Sequence, residues 1–179
     1  MKTVGGILAA VMLTAAGWGS WERFHGTVVD IETGNPISEA VVVFEWVKRH
    51  RLGTDGPEYV QNVQEAVTDA EGRFSVNASP GINWNPLTYL RRLQLVVVAV
   101  GYEPAAPALI VIKEAESRTR KLAMLEKGAE ILLRPLKPSS RIGEMVSHGA
   151  LGLAEETQHR APNLTRVINE QRRRLGLED

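Results

Sequence analysis

The chain has no cysteine. Disulfides, thiol catalysis and thiolate metal sites are therefore excluded outright. A lipid-modified cysteine after an export signal is excluded too. The chain also lacks a surplus of charge, since 21 lysines and arginines meet 21 aspartates and glutamates. A net charge of zero removes the long-range attraction that draws basic proteins onto nucleic acid. Histidine is scarce, with four in 179 residues. His25, His50, His148 and His159 form no His-x-His or His-x-x-x-His pair, so no metal-ligand motif is present. There is no Gly-x-Ser-x-Gly elbow and no phosphate-binding glycine loop. Internal repeats and low-complexity stretches are absent as well. The sequence thus offers no catalytic, cofactor or metal set, and it reads as a non-enzyme.

What is present is enough apolar material, 44% of residues, to build one core without metal or disulfide staples. The N-terminus has the pattern of an export signal. Lys2 supplies the positive end, and Val4 to Ala16 is apolar. Ala15 and Gly17 are small residues at cleavage spacing before Trp18. The run is short for a membrane span, which needs about 20 residues. Residues 1–17 are therefore expected to be a signal peptide, with an inner-membrane anchor over residues 4–20 as the alternative.

Strand signals fill the middle of the chain. Phe24 to Asp30 alternates, with Phe24, Gly26 and Val28 on one face. Asp30 to Gly34 reads as a tight turn, and Pro36 fixes φ before the next strand. Glu39 to Val47 is β-branched, and its Ala40–Phe44 part is apolar on both faces, as suits a central strand. Lys48 to Glu58 is basic, then turn-rich, and reads as a surface loop. Tyr59 to Thr68 reads as a strand, Asp69 to Gly72 as a hairpin turn, and Arg73 to Asn77 as the returning strand. Ser79 to Leu90 is irregular. Leu93 to Val100 is strongly strand-like, and weaker strands are expected at Leu109–Ile112 and Glu130–Leu136. Helices are expected over Lys113–Lys127, from Ser139 or Ser140, and around Leu164, Val167, Ile168, Gln171 and Leu175. Pro162 stands near the start of the last helix and Gly176 just past its end.

Two phrases are specific: Val29-Asp30-x-x-Thr33-Gly34-x-Pro36-Ile37 and Thr68-Asp69-x-x-Gly72-Arg73-Phe74. In this order, before an apolar strand ending in Gly101-Tyr102, they resemble the carboxypeptidase regulatory-like domain. The resemblance covers roughly residues 24–136. It implies a mainly β, seven-stranded, transthyretin-like sandwich over residues 18–137, followed by a helical extension over 138–179. In that family the module is accessory or adhesive and has no catalysis of its own. Signal, sandwich and short tail together are similar to small bacterial exported proteins, which implies a Gram-negative periplasm. The expected role is binding of an envelope protein or glycan, without a cofactor and without nucleic acid. Membrane contact is expected only if the signal stays uncleaved.

Trp46, Tyr59, Trp84 and Tyr89 are the candidate binding surface, because aromatics stack on sugars and partner side chains. The competing reading puts Trp46 in the core and has Trp84 pin a loop. Asp30, Glu32, Asp69 and Glu71 read as turn formers rather than calcium ligands. Tyr102 reads as a corner residue tied through its hydroxyl. The runs Lys48–Arg51 and Arg172–Arg174 read as solvated charge, with lipid headgroups as the alternative contact. A transthyretin-fold hydrolase or dioxygenase is the enzymatic alternative, and it would need His25 brought to His50. A structural role is the third reading, with self-association through the C-terminal helix.

Overall fold

A computed structural model describes residues 23–51, 56–77, 79–111, 128–137 and 153–177. The export pattern, the expected helix at Lys113–Lys127 and most of the one after Ser139 lie outside the described residues. The protein is mainly β, with two sheets and helices at the C-terminal end.

The strands are β1 (Arg23–Asp30), β2 (Val41–His50), β3 (Glu58–Val67), β4 (Arg73–Asn77), β5 (Thr88–Val98), β6 (Ala105–Val111) and β7 (Ala129–Leu133). Two helices follow, α1 (Glu155–Arg160) and α2 (Pro162–Arg174). One sheet has the order β4-β1-β7 and the other β3-β2-β5-β6. All neighbours are antiparallel except β1 and β7, which run parallel.

Period-two alternation builds the space between the sheets. Phe24 and Val28 of β1, Val42, Phe44 and Trp46 of β2, Phe74 of β4, Leu93, Leu95 and Val97 of β5, and Ile131 and Leu133 of β7 meet there and are buried. Phe24 stacks on Phe44 with ring centroids 5.7 Å apart. Gly26 leaves room for this packing. A Cβ at that position would lie 2.2 Å from the Ala129 carbonyl oxygen and 2.9 Å from the Phe74 ring.

Several local expectations change in three dimensions. The Asp69–Gly72 turn does not close a hairpin, because β4 leaves β3 and pairs with β1 in the other sheet. Thr68 anchors this crossing: its hydroxyl donates to the Ile37 carbonyl at 2.7 Å and accepts from the Ala40 amide at 2.9 Å. Glu39 is not a strand residue but a turn residue with φ of 58°. The basic run is not a loop, since Lys48, Arg49 and His50 continue β2, where Lys48 and Arg49 pair with both β3 and β5 and His50 with β5.

The other face of the larger sheet is covered as well. Val41, Val43, Val96 and Val98 pack under Leu153, Ala161, Leu164, Val167 and Ile168. The apolar stripe of the last helix is thus buried against the chain's own sheet, apart from Leu175, which is exposed. Pro162 stands in the first turn of α2, where its missing N–H has no cost.

Neither helix has a side-chain cap of its own. The sheet provides both. Glu65 of β3 accepts from the Asn163 and Leu164 amides at 2.9 and 3.1 Å and from the Asn163 side chain. Glu45 of β2, fully buried, accepts from the Ala154 amide at 2.9 Å and from the Thr157 hydroxyl. These bonds satisfy orphan donors that a helix start leaves open. Gln171 near the end of α2 accepts from the Gly101 amide at 2.7 Å and ties the far end of the helix down.

Candidate functional site

At the end of the molecule where β2 finishes and β3 and β5 begin, residues 79–87 form an irregular connection. Polar side chains tie it from within and from β3. The Asn62 amide donates to the Ser79 carbonyl at 2.8 Å, and Gln64 accepts from the Ser79 N–H at 2.6 Å. The Gln61 amide reaches the Ile82 carbonyl at 3.0 Å. Asn83 and Asn85 each accept from a backbone N–H two residues on, at 3.2 and 2.9 Å, which is the Asx turn these residues favour. The buried Thr88 hydroxyl lies 3.0 Å from the Asn83 amide oxygen and 2.9 Å from the Asn85 carbonyl. The Arg51 amide closes the connection on the Leu87 carbonyl at 2.7 Å.

With its polar groups directed inward, the loop presents apolar side chains outward. Trp84 is 84% exposed, Ile82 66% and Leu87 51%. Tyr59, at the start of β3, is 42% exposed and meets the edge of the His50 ring, with centroids 5.6 Å apart. Together they make an exposed apolar surface on a firmly bonded loop, and this is the candidate site of the larger sheet.

Of the four aromatics that the sequence singles out, Trp84 and Tyr59 belong to this surface. Tyr89 is half-buried on β5 opposite Arg49. Trp46 is wholly buried between the sheets and has no exposed face to offer a ligand. Alternation along β2 decides this, because Trp46 follows Val42 and Phe44 on the inward face. Ile82 and Leu87 escape a reading that looks for aromatics alone. The signal that marks them is the Asn83-x-Asn85-Pro86 turn chemistry enclosed by apolar residues.

Charge is concentrated at the same end. Arg49 and Arg92 share Glu58, at 2.7 and 3.2 Å, and Arg92 lies 3.8 Å from Glu45. Arg23, Lys48, Arg51 and Arg91 form no ion pair among the described residues.

A second concavity, of about 570 Å³, lies on the smaller sheet. It is open, and its wall includes His25, Thr27, Arg73, Ser75 and Glu130. His25 and Ser75 are cross-strand partners. Arg73 is engaged by Asp69 and Glu71 at 2.9 and 2.8 Å. His25 and His50 do not meet: His25 lies in this cleft, whereas His50 ends a strand of the other sheet against Tyr59. His159 is exposed on α1, and His148 lies outside the described residues. Among the described residues no group of three or more histidines and carboxylates is placed to hold a metal ion.

The loop carboxylates form turns. Asp30 accepts from the Glu32 and Thr33 amides at 2.7 and 3.1 Å and from the Tyr102 hydroxyl at 3.0 Å. Desolvation opposes ionisation of Asp30, but these donors outweigh it and hold its carboxyl below the usual range. Asp69 is held low chiefly by the Arg73 amide, with help from the Arg73 guanidinium. Desolvation, then the bond to Asp30, pushes the Tyr102 phenol up.

No protein-family model matches the chain, and no curated protein sequence is similar to it.

Proposed function

We propose that the protein is an exported, non-catalytic recognition module of the bacterial envelope, and that it attaches to its target through the Trp84 loop. One observation carries this reading. A connection over residues 79–87, bonded at both ends and through its middle, holds Trp84, Ile82 and Leu87 out in water. Leaving such groups exposed has no folding benefit, and preorganising them lowers the entropy lost on binding.

The export part of the reading rests on Lys2, the Val4–Ala16 run and Gly17. The transthyretin-like, carboxypeptidase regulatory-like identity rests on the phrases at 29–37 and 68–74 and on the two-sheet layering. Within the partner classes expected from sequence, a glycan is the less favoured. Sugars need hydrogen-bonding side chains beside the stacking ring, and the Asn83 amide, the Asn85 amide oxygen and the Gln61 amide nitrogen are already engaged by the loop.

A photo-crosslinking side chain placed at position 84, and separately at position 27, in the full chain in intact cells tests this. Adducts with an envelope component are expected from position 84 alone. Adducts from position 27 alone, or a turnover reaction abolished by His25→Ala, would transfer the function to the cleft on the smaller sheet.

A further inference from the structure

The Trp84 loop lies among basic residues that the sequence separates from it. Leu87 is bonded to Arg51, so the loop abuts the end of the Lys48–Arg51 run. Thr88, Tyr89 and Leu90, which directly follow the loop, pair with His50, Arg49 and Lys48. Arg91 comes next in β5. Arg23 reaches the same end, because it opens β1 by pairing with Asn77, two residues before Ser79. The acids among the described residues here are already matched: Glu58 is held by Arg49 and Arg92, Glu45 lies 3.8 Å from Arg92, and Glu156 pairs with Arg160, which reaches the Val60 carbonyl. Arg23, Lys48, Arg51 and Arg91 are left with their charge uncompensated by any ion pair among the described residues. Among the described residues this end thus carries an excess of positive charge, and the most exposed apolar side chains sit there.

Apolar tips within a basic collar match one kind of surface closely. The headgroup region of an anionic bilayer takes Trp and aliphatic side chains at the level of the acyl boundary and pairs with Lys and Arg around them. The position of the N-terminal apolar run agrees. Gly17 to Glu22 separate that run from Arg23, and six residues span at most about 20 Å. If the run stays in the membrane, Arg23 brings this end of the domain, rather than the opposite end at Gly101, to the bilayer. Trp18 and Trp21 in the same six residues are of the type that settles at the interface.

We infer that the Trp84 end docks on anionic lipid, with Ile82, Trp84 and Leu87 entering the interface and Arg23, Lys48, Arg51 and Arg91 facing the headgroups. This rests on the reading of the loop as the attachment surface and names what it attaches to.

The absence of cysteine makes the test clean, since a single introduced thiol is the sole labelling site. The full chain carrying Trp84→Cys, labelled with a polarity-sensitive fluorophore, is mixed with vesicles of anionic phosphatidylglycerol and, separately, of zwitterionic phosphatidylcholine. The same label at Thr27→Cys is the control on the far sheet. The label at 84 is expected to shift to the blue on anionic vesicles only, and added salt should weaken the effect. Lys48→Gln and Arg51→Gln should each lower the apparent partition about fivefold. The label at 27 should stay in water. If the full chain binds vesicles through its N-terminal run while the label at 84 stays in water, the lipid assignment is wrong. A label at 84 that ignores vesicles but shifts on native envelope fragments would overturn the lipid assignment and leave the loop as a protein-docking surface. Silence in both would remove the attachment reading as well.

Discussion

Glu45 of β2 and Thr157 of α1, 112 residues apart in the chain, share a buried hydrogen bond. The carboxylate that caps the helix lies on the face of the larger sheet, 3.8 Å from Arg92. A helix start is thereby completed by a strand, and the C-terminal segment is held by buried hydrogen bonds as well as by apolar contact. Glu45→Ala would leave the Thr157 hydroxyl and Ala154 amide unpaired and Arg92 short of one counterion. The expected loss, read by urea denaturation, is about 3 kcal/mol, within the range for breaking a buried pair. Glu65→Ala, at the start of α2, should cost about 1 kcal/mol as a lost cap. Equal, negligible losses for both would mean that the helices do not rest on these carboxylates.

Removal of residues 138–179 uncovers Val41, Val43, Val96 and Val98 together with the buried Glu45. Each valine gives up about 1.5–3 kcal/mol of burial if it becomes fully wet. The shortened chain should unfold at markedly lower denaturant and self-associate through the bared sheet in sedimentation. A truncated chain as stable and as monomeric as the full one would show that the helices contribute nothing to the fold.

Gly26 and Gly34 separate two effects of a glycine. Gly26→Ala puts a Cβ 2.2 Å from the Ala129 carbonyl oxygen, which the parallel pairing of β1 and β7 holds in place. A loss of about 4 kcal/mol or more is expected, in the range reserved for severe steric conflict. Gly34 has φ of +71°, and a Cβ added there would meet no atom within 4 Å, so space is not the obstacle. Gly34→Ala should therefore cost only the left-handed penalty of about 1–2 kcal/mol. Thermal unfolding of the two variants should rank them in that order.

Phe74 sits across from Gly26 and fills the space between the sheets. Phe74→Ala should cost about 3–5 kcal/mol. A change below roughly 0.5 kcal/mol, the size usual for surface positions, would place that side chain outside the core.

The pair Asp30 and Tyr102 predicts how stability bends with pH. The Asp30 carboxyl is held low in the folded chain, so its contribution is complete above the ordinary aspartate range near about 4 and is lost as pH falls through the depressed folded value. The Tyr102 phenol is held high, so its contribution is complete below about 10 and is lost as pH rises through the folded value. Tm measured from about pH 2 to about pH 11 should therefore have a plateau with loss at both ends. Tyr102→Phe should flatten the alkaline limb and soften the acid one. An unchanged profile would show that the bond between the two side chains is not maintained in solution.

Much of this protein is written in local chemistry. Alternation puts Phe24, Val28, Phe44 and Phe74 on inward faces, and turn chemistry puts Asp30, Gly34 and Gly72 at turns, because both depend on residues a few positions apart. Tyr102 is legible as a corner residue, although its partner is not. The double-sided apolar run of β2 announces a strand covered on both faces. The sequence by itself determined that much: which segments alternate, where the chain must turn, and that no cysteine, metal motif or charge surplus directs the chemistry. Only the tertiary structure decided what covers the second face, because the covering helices come more than 100 residues later and hydrophobicity carries no address. It also decided that Asp69–Gly72 crosses between sheets, since the same turn residues serve a hairpin or a crossing. And it decided that Trp46 is core while Trp84 is surface, and that the Trp84 loop closes on Arg51, because which residues share an end of the molecule is set by strand pairing, and strand pairing is a property of the whole chain.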